Sequence, residues 1–492
     1  KGACRGTEMD KRTVRNFVYN TAYKILIIIV PLLTAPYVSR ILHPNGVGIY
    51  SYTFTVATAF SLFAALGINT YGQREIAYCQ QDKEKRSIIF WELVTYRFIT
   101  TAVVLIGYLV FSSVYQEYRK FLLEQTFIIV AVAFDISWYF QGVENFKIVV
   151  VRNAIIKFGT LLCIFLLVKR ESDLGLYILI NSGSVLLSNV IYVFKLKNEV
   201  CLVPLRKLNL KKHSAGMFGF FIPLIAVEIY SQLDKIMLGS MTIGALENGY
   251  YEQARKITAM VVSIVTSLNT VLLSRVANLY INHQKDQIID YYRNSVRFIY
   301  LLLFPMCVGM LVISQNFTAW FFGTDYGKVA TLLDLSCPLL FFMCVGNFVG
   351  VQYLSPMGMQ NKMTKAYLTA AVVNFCLNLL LIPRLYSVGA LIASIIAEAV
   401  SCFIQLYYFA KSEYAIPLWK PMWKYIVSAL VMGVVLLGFN AILPVAGVLQ
   451  TVADIVVGGI VYAACLILLR EELVCMVLKT VKVKQKSRSF IK

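Results

Sequence analysis

Residues 296–314 read Val-Arg-Phe-Ile-Tyr-Leu-Leu-Leu-Phe-Pro-Met-Cys-Val-Gly-Met-Leu-Val-Ile-Ser, with no charge after Arg297. A helix that crosses the roughly 30 Å hydrocarbon core of a bilayer rises about 1.5 Å per residue and so needs about 20 mostly apolar residues. This stretch has them. Working outward with the same ruler, candidate spans fall at 15–36, 48–70, 88–112, 122–141, 148–168 and 174–195. A second group follows at 216–239, 249–274, 296–314, 331–354, 364–383 and 387–410, and two more close the chain at 422–443 and 449–469. Spans 48–70 and 249–274 are rich in Ser, Thr, Tyr and charge, so they are expected to face other helices or water.

Composition agrees. Hydrophobic residues make up 59% of the 492 and charged ones 15%, against about 25% charged in a typical soluble domain. The net charge of +20 would point to nucleic acid in a soluble protein; here it belongs to the loops. With the amino terminus inside, thirty-one Lys and Arg fall in inside segments and seven in outside loops. Basic residues collect on the cytoplasmic side, so an even number of spans with both ends inside is expected. The first apolar run, Phe17 to Pro36, follows Lys11, Arg12 and Arg15 and reads as a retained span, not a cleaved leader. Met9 reads as the natural start, which makes residues 1–8 a remnant without function.

Gly48-Ile49-Tyr50-Ser51-Tyr52 opens the second span and Gly249-Tyr250-Tyr251-Glu252-Gln253 the eighth, while Glu144 to Lys147 matches Met359 to Lys362 in position. Spans one to six therefore repeat as spans seven to twelve in the same orientation, a parallel repeat. The fold reading is an all-α integral membrane protein of about fourteen transmembrane helices. Its expected parts are an N-terminal six-helix lobe at 9–200, a C-terminal one at 201–415, two additional helices at 416–470 and a basic cytoplasmic tail at 471–492.

The chain has no Gly-x-x-x-x-Gly-Lys-Ser/Thr phosphate loop and no Gly-x-Ser-x-Gly elbow. None of its eleven cysteines forms a Cys-x-x-Cys pair, and His43, His213 and His283 lie far apart, so neither a metal nor a cofactor is expected. What remains is charge inside the spans: Lys24, Arg97, Lys157, Lys235, Arg255 and Lys256 against Asp135, Glu228, Asp234, Glu252 and Glu398. Each costs roughly 2.5–3.5 kcal/mol or more at the bilayer centre unless paired or wetted, so a hydrated cavity is expected. Glu252 stands three and four residues before Arg255 and Lys256 and can neutralise one of them along the helix. Arg97 with Asp135 can equally form a structural bridge between helices, and Glu228 and Glu398 can be neutral core acids. Thr58, in the polar stripe Tyr50, Ser51, Thr53, Thr55, reads more readily as helix packing than as a site.

Six stretches in order carry a resemblance: Pro31 to Arg40, Gly46 to Ser51, Tyr71 to Ala77, Phe134 to Glu144, Arg152-Asn153, and Leu233 to Gly239. In these the chain resembles the lipid-linked oligosaccharide (O-antigen-type) flippases of bacterial polysaccharide synthesis. They belong to the multidrug/oligosaccharidyl-lipid/polysaccharide exporter superfamily. The resemblance implies two lobes around a central cavity and a transporter, not an enzyme. The implied substrate is an isoprenoid (undecaprenyl) pyrophosphate-linked oligosaccharide, moved from the cytoplasmic to the outer leaflet of the cell membrane by alternating access. It also implies a cationic cavity, carried by position to Lys24, Lys157, Lys235 and Arg255, then Arg97 and Lys256. The acids Asp135, Asp234, Glu228, Glu252 and Glu398 are left for ion coupling or structural pairs. Partners are the lipid-linked substrate, membrane lipids, and candidate polymerase and assembly proteins. An ion-coupled multidrug exporter of the same superfamily predicts an acid-dominated cavity, whereas basic residues outnumber acids six to five here. A membrane enzyme that polymerises sugars would need larger outer loops, and a scaffold would tolerate loss of the buried charges.

Overall fold

The computed structural model describes residues 30–476 with their side chains, apart from 146–147, 197–198, 205, 207, 223, 226–227, 229–230, 243, 270–271, 274 and 444–445. Among the described residues there are helices and no strand. Ten helical segments are long and apolar enough to cross a membrane, which is the all-helical membrane fold expected from the hydropathy. Two of the long helices each hold one residue that leaves helical geometry. Helix α1 (Ala3–Ala65) leaves helical geometry at His43 (φ 53°, ψ 173°), the residue before Pro44, where the proline ring disfavours the helical conformation. Helix α15 (Gln360–Ala410) does so at Tyr386 (φ 54°, ψ −129°), just beyond Pro383. Both breaks fall in the gaps between neighbouring sequence-derived spans. Pro31 and Pro36 lie inside the helix and neither is the point of departure.

The chain divides into two units, Lys1–Gly249 and Tyr250–Lys492. The first holds α1, α2 (Ile68–Tyr78), α3 (Lys83–Val114), α4 (Arg119–Glu124), α5 (Thr126–Ala133), α6 (Ser137–Gly142), α7 (Phe146–Leu167), α8 (Leu174–Lys195), α9 (Lys211–Met241) and the first turn of α10 (Leu246–Val265). Asp82 caps α3 by accepting the Lys85 N–H at 3.1 Å, and that bond holds its carboxyl below the usual carboxylate range. α9 lies against α1 along a row of small residues. A Cβ on Gly239 would fall 2.2 Å from the Tyr52 ring, and one on Gly67 (φ 71°) 2.7 Å from the Met217 carbonyl oxygen. Such close backbone approach is how membrane helices gain packing where lipid gives no hydrophobic drive. One end of the unit is filled by buried aromatic and apolar side chains, Phe90, Trp138, Tyr139, Phe140, Tyr192 and Met217.

The second unit holds the rest of α10, α11 (Ser267–Ile281), α12 (Lys285–Phe321), α13 (Gly327–Leu335), α14 (Cys337–Asn347), α15, α16 (Met422–Ile442) and α17 (Val448–Leu468). α14 runs on as a π-helix, Phe348–Leu354. Its Gln352 is fully buried and donates to Asn269 at 2.7 Å, and Asn269 in turn donates to Asn347 at 2.8 Å. Asn316 pins α17 to α12, accepting the Gly447 N–H at 2.9 Å and donating to Thr451 at 3.0 Å.

Candidate functional site

The span expected at 122–141 is built of three short helices, and its last interruption, at Phe134–Ile136, lies at Asp135. Irregular backbone at membrane depth survives only where it is buried in protein or lines a wet cavity, because lipid cannot satisfy its polar groups. Asp135 does both. One carboxylate oxygen accepts the Ser137 N–H at 3.0 Å at the start of α6, while its backbone carbonyl accepts from the Trp138 indole at 3.1 Å and from the Arg97 guanidinium. A second interruption, Leu66–Gly67 between α1 and α2, places Asn69 opposite. Asn69 accepts from Arg97 Nη2 at 2.6 Å and donates to Asp135 Oδ2 at 3.1 Å. Arg97 itself is wholly buried, with Nη1 3.6 Å from Asp135 Oδ2. One turn on, Thr100 donates to the Ala64 carbonyl at 2.7 Å, at the end of α1. Two residues of α3 thus satisfy carbonyls at both breaks, which is why a charge sits there without bulk water.

On the open side of this cluster lies a cavity of about 360 Å³. Thr58, Ser61, Asn69, Asp135, Asn189, Glu228 and Gln232 supply its polar wall, and Leu62, Phe63, Val132 and Leu233 part of the apolar remainder. Asn189 is positioned by donating to the Ala131 carbonyl at 2.9 Å. A volume in this range, mostly apolar with a few convergent polar groups, is typical of a ligand site.

The predicted charges are distributed as follows. Arg97 and Asp135 meet in the bridge, and Asp135 shares the cavity wall with Glu228. Lys157 is half-buried on α7, between the exposed Ile155 and Phe158, and is not paired with Asp135. Asp234 is buried and Lys235 half-buried on α9, one turn beyond Gln232. In the second unit Glu252 pairs with Lys256 at 3.2 Å, with Arg255 and Glu398 half-buried. Lys24 lies outside the described residues. The amides Asn69, Asn189 and Gln232 are absent from the sequence expectation. Their available signal is the Gly67-Ile68-Asn69 turn inside an apolar stretch. Thr58 lines the cavity, while Ser51, Thr53 and Thr55 are packed away.

The sequence reading also passed over a buried network at the entry to α9. Glu92 and His213 are each about 1% exposed, with Glu92 Oε2 2.7 Å from His213 Nε2 and 2.8 Å from Lys212 Nζ. His213 Nδ1 is 2.8 Å from the Tyr71 hydroxyl, and the Asn209 N–H donates to Glu92 at 2.7 Å. The carboxylate calls for a donor at Nε2, and Nδ1 faces the phenol. Glu92→Ala removes the acceptor from a buried imidazole and is expected to cost about 1–3 kcal/mol. A fall in melting temperature in detergent, which Glu92→Gln recovers in part, checks this; unchanged melting would leave the network without a structural role.

With this geometry in place, comparison with known proteins decides the class. The family described as polysaccharide biosynthesis protein matches residues 13–280, and the family described as lipid II flippase MurJ matches residues 158–458. The chain belongs to the polysaccharide biosynthesis protein family. It is a membrane flippase of the glycan-lipid type and not an enzyme. A putative O-antigen transporter of Escherichia coli (strain K12) is 22% identical over 398 residues, covering 80% of this chain and 95% of that protein. The probable low-salt glycan biosynthesis flippase Agl15 of Haloferax volcanii is 25% identical over 266 residues, 52% of this chain and 55% of that protein. Among solved structures, lipid II flippase MurJ in an inward closed conformation superposes with a TM-score of 0.74 at 15% identity, covering 93% of this chain and 99% of that one. An inward-facing multidrug resistance transporter of the MATE family gives 0.56 at 13% identity, covering 77% and 97%. At such identities the likeness speaks for the fold alone.

Proposed function

We propose that the protein turns an isoprenoid (undecaprenyl) pyrophosphate-linked oligosaccharide from the cytoplasmic to the outer leaflet of a bacterial cell membrane by alternating access. The observation that carries the reading is a cavity within the membrane-spanning helices of a glycan-lipid flippase family member, whose amides and hydroxyls, set among apolar side chains, suit sugar hydroxyls. Two six-helix lobes at 9–200 and 201–415, two further helices and fourteen crossings in all accommodate the repeat and the breaks at His43 and Tyr386. The excess of basic residues in one set of loops supports cytoplasmic termini. A pyrophosphate needs cations in a low-dielectric setting, and Lys24, Lys157, Lys235, Arg255 and Lys256 are assigned that role, with Arg97 committed to the Asp135 bridge. The sequence shows no nucleotide loop, so the energy comes from an ion gradient, the membrane potential, or removal of product outside. Glu228 is the proposed coupling acid.

Lys24→Ala and Arg255→Ala are expected to abolish surface polysaccharide export in a complemented deletion strain while immunoblots show wild-type protein levels. Export that survives both changes would refute the cationic cavity. One observation favours a second reading, an ion-coupled exporter of small cations: the two acids on the wall of the first unit's cavity, Asp135 and Glu228. Uptake of a cationic dye driven by an ion gradient and lost in Glu228→Gln is the outcome that reading requires.

A further inference from the structure

The cavity at Asp135 has a neighbouring groove on the surface of the first unit. Phe63, Leu66, Tyr96, Ile99, Val103 and Val104 line a groove of about 510 Å³ between the end of α1, α3 and the start of α9. Ile99 and Val103 are 51% and 65% exposed, so its floor is open to whatever surrounds the helices. One end is not apolar: Lys211, exposed, and Ser214 close it, with Lys212 next in sequence. Lys211 is also the first residue of the 31-residue helix α9, whose amino end adds partial positive charge. An apolar trough ending in an ammonium and a hydroxyl matches an anionic lipid, phosphate at Lys211 and hydrocarbon along Ile99, Val103 and Val104. A second observation names which lipid. Phe63 lines both the groove and the 360 Å³ cavity, standing between them as a shared wall held edge-on to Phe221 at 5.8 Å. An ordinary phospholipid has nothing to place beyond that wall. A lipid that carries a glycan does.

We infer that this groove is the loading seat for the isoprenoid phosphate part of the substrate, from which the glycan passes Phe63 into the cavity that Asn69, Asn189 and Gln232 line. The inference rests on the glycan-lipid reading above and assigns it a place.

The test uses the full chain in proteoliposomes, a polyprenyl phosphate with a photoreactive group in its chain, and, in parallel, a fluorescent polyprenyl-pyrophosphate oligosaccharide scored for movement between leaflets. The peptide containing Ile99 to Val104 is expected to carry the label. Val103→Trp, at an exposed position that tolerates bulk, and Lys211→Gln are each expected to cut labelling by about tenfold, the effect of one lost anchoring contact. Leu335→Trp, exposed elsewhere, should leave it unchanged. Label spread evenly over exposed apolar positions such as Val434 and Ile455, or displaced equally well by phosphatidylglycerol, would overturn the assignment. Labelling of α3 without movement of the oligosaccharide lipid keeps the seat and sinks the flippase reading. Movement without α3 labelling does the reverse and refutes the seat.

Discussion

Arg97→Ala is expected to lower the melting temperature of the detergent-purified protein sharply and to reduce its abundance in the membrane. The guanidinium is wholly buried, donates to the Asp135 carbonyl and the Asn69 amide oxygen, and lies 3.6 Å from the Asp135 carboxylate. Removing it strands a carboxylate beside the cavity and leaves a carbonyl at the 134–136 break without one of its donors. Breaking a buried pair by deleting one partner costs about 3–5 kcal/mol, which is a large part of the stability of a typical domain. Replacing both partners is a different matter. Arg97→Met with Asp135→Asn is expected to regain part of the loss, with a coupling energy of about 0.5–3 kcal/mol between the two sites. Lysine at 97 keeps the charge but loses the planar fork that reaches Asn69 and Asp135 together, so an intermediate phenotype is expected. Wild-type melting in Arg97→Ala would show that the two breaks hold their shape without this bridge.

Gly48→Ala has the second large expected effect. A Cβ at Gly48 would lie 1.8 Å from the Ala245 carbonyl oxygen and 2.9 Å from the Gly249 nitrogen. A Cβ at Gly249 would lie 1.9 Å from the Pro44 carbonyl oxygen. The obstacles are backbone atoms, which cannot swing aside as a side-chain end can. Overpacking of this kind costs about 1–3 kcal/mol and often more where only main chain can yield. Gly48→Ala and Gly249→Ala should each lower melting temperature and transport together. By contrast, Gly107→Ala and Gly159→Ala, where a Cβ meets nothing within 4 Å, should do neither. A Gly48→Ala protein that melts and transports like the wild type would mean that α1 and α10 do not approach so closely.

These two positions also show what can be read before any fold is seen. Gly48 and Gly249 stand out in the sequence as the openings of two related spans; the structure seats one against the other, because only residues without a side chain permit that approach. Hydropathy located the long apolar helices because lipid imposes length and apolarity on each crossing directly. The Arg97–Asp135 bridge follows from the need to neutralise an intramembrane charge. The cavity wall was less legible. Asn69, Asn189 and Gln232 are neutral, so nothing in a charge-based reading marks them, and they converge only because two helix breaks turn them inward. Glu92 and His213 were overlooked for a similar reason. They are far apart in sequence, Glu92 lies in the first turns of a long helix, and His213 sits at a helix entry that resembles an exposed loop.

Reconstitution of the purified protein into liposomes with a fluorescent isoprenoid-pyrophosphate oligosaccharide, scoring its passage between leaflets, tests flippase activity itself. Passage is expected with the wild type and is lost with Lys24→Ala or Arg255→Ala in protein of unchanged melting temperature. No passage, together with gradient-driven uptake of a cationic dye, would contradict that expectation.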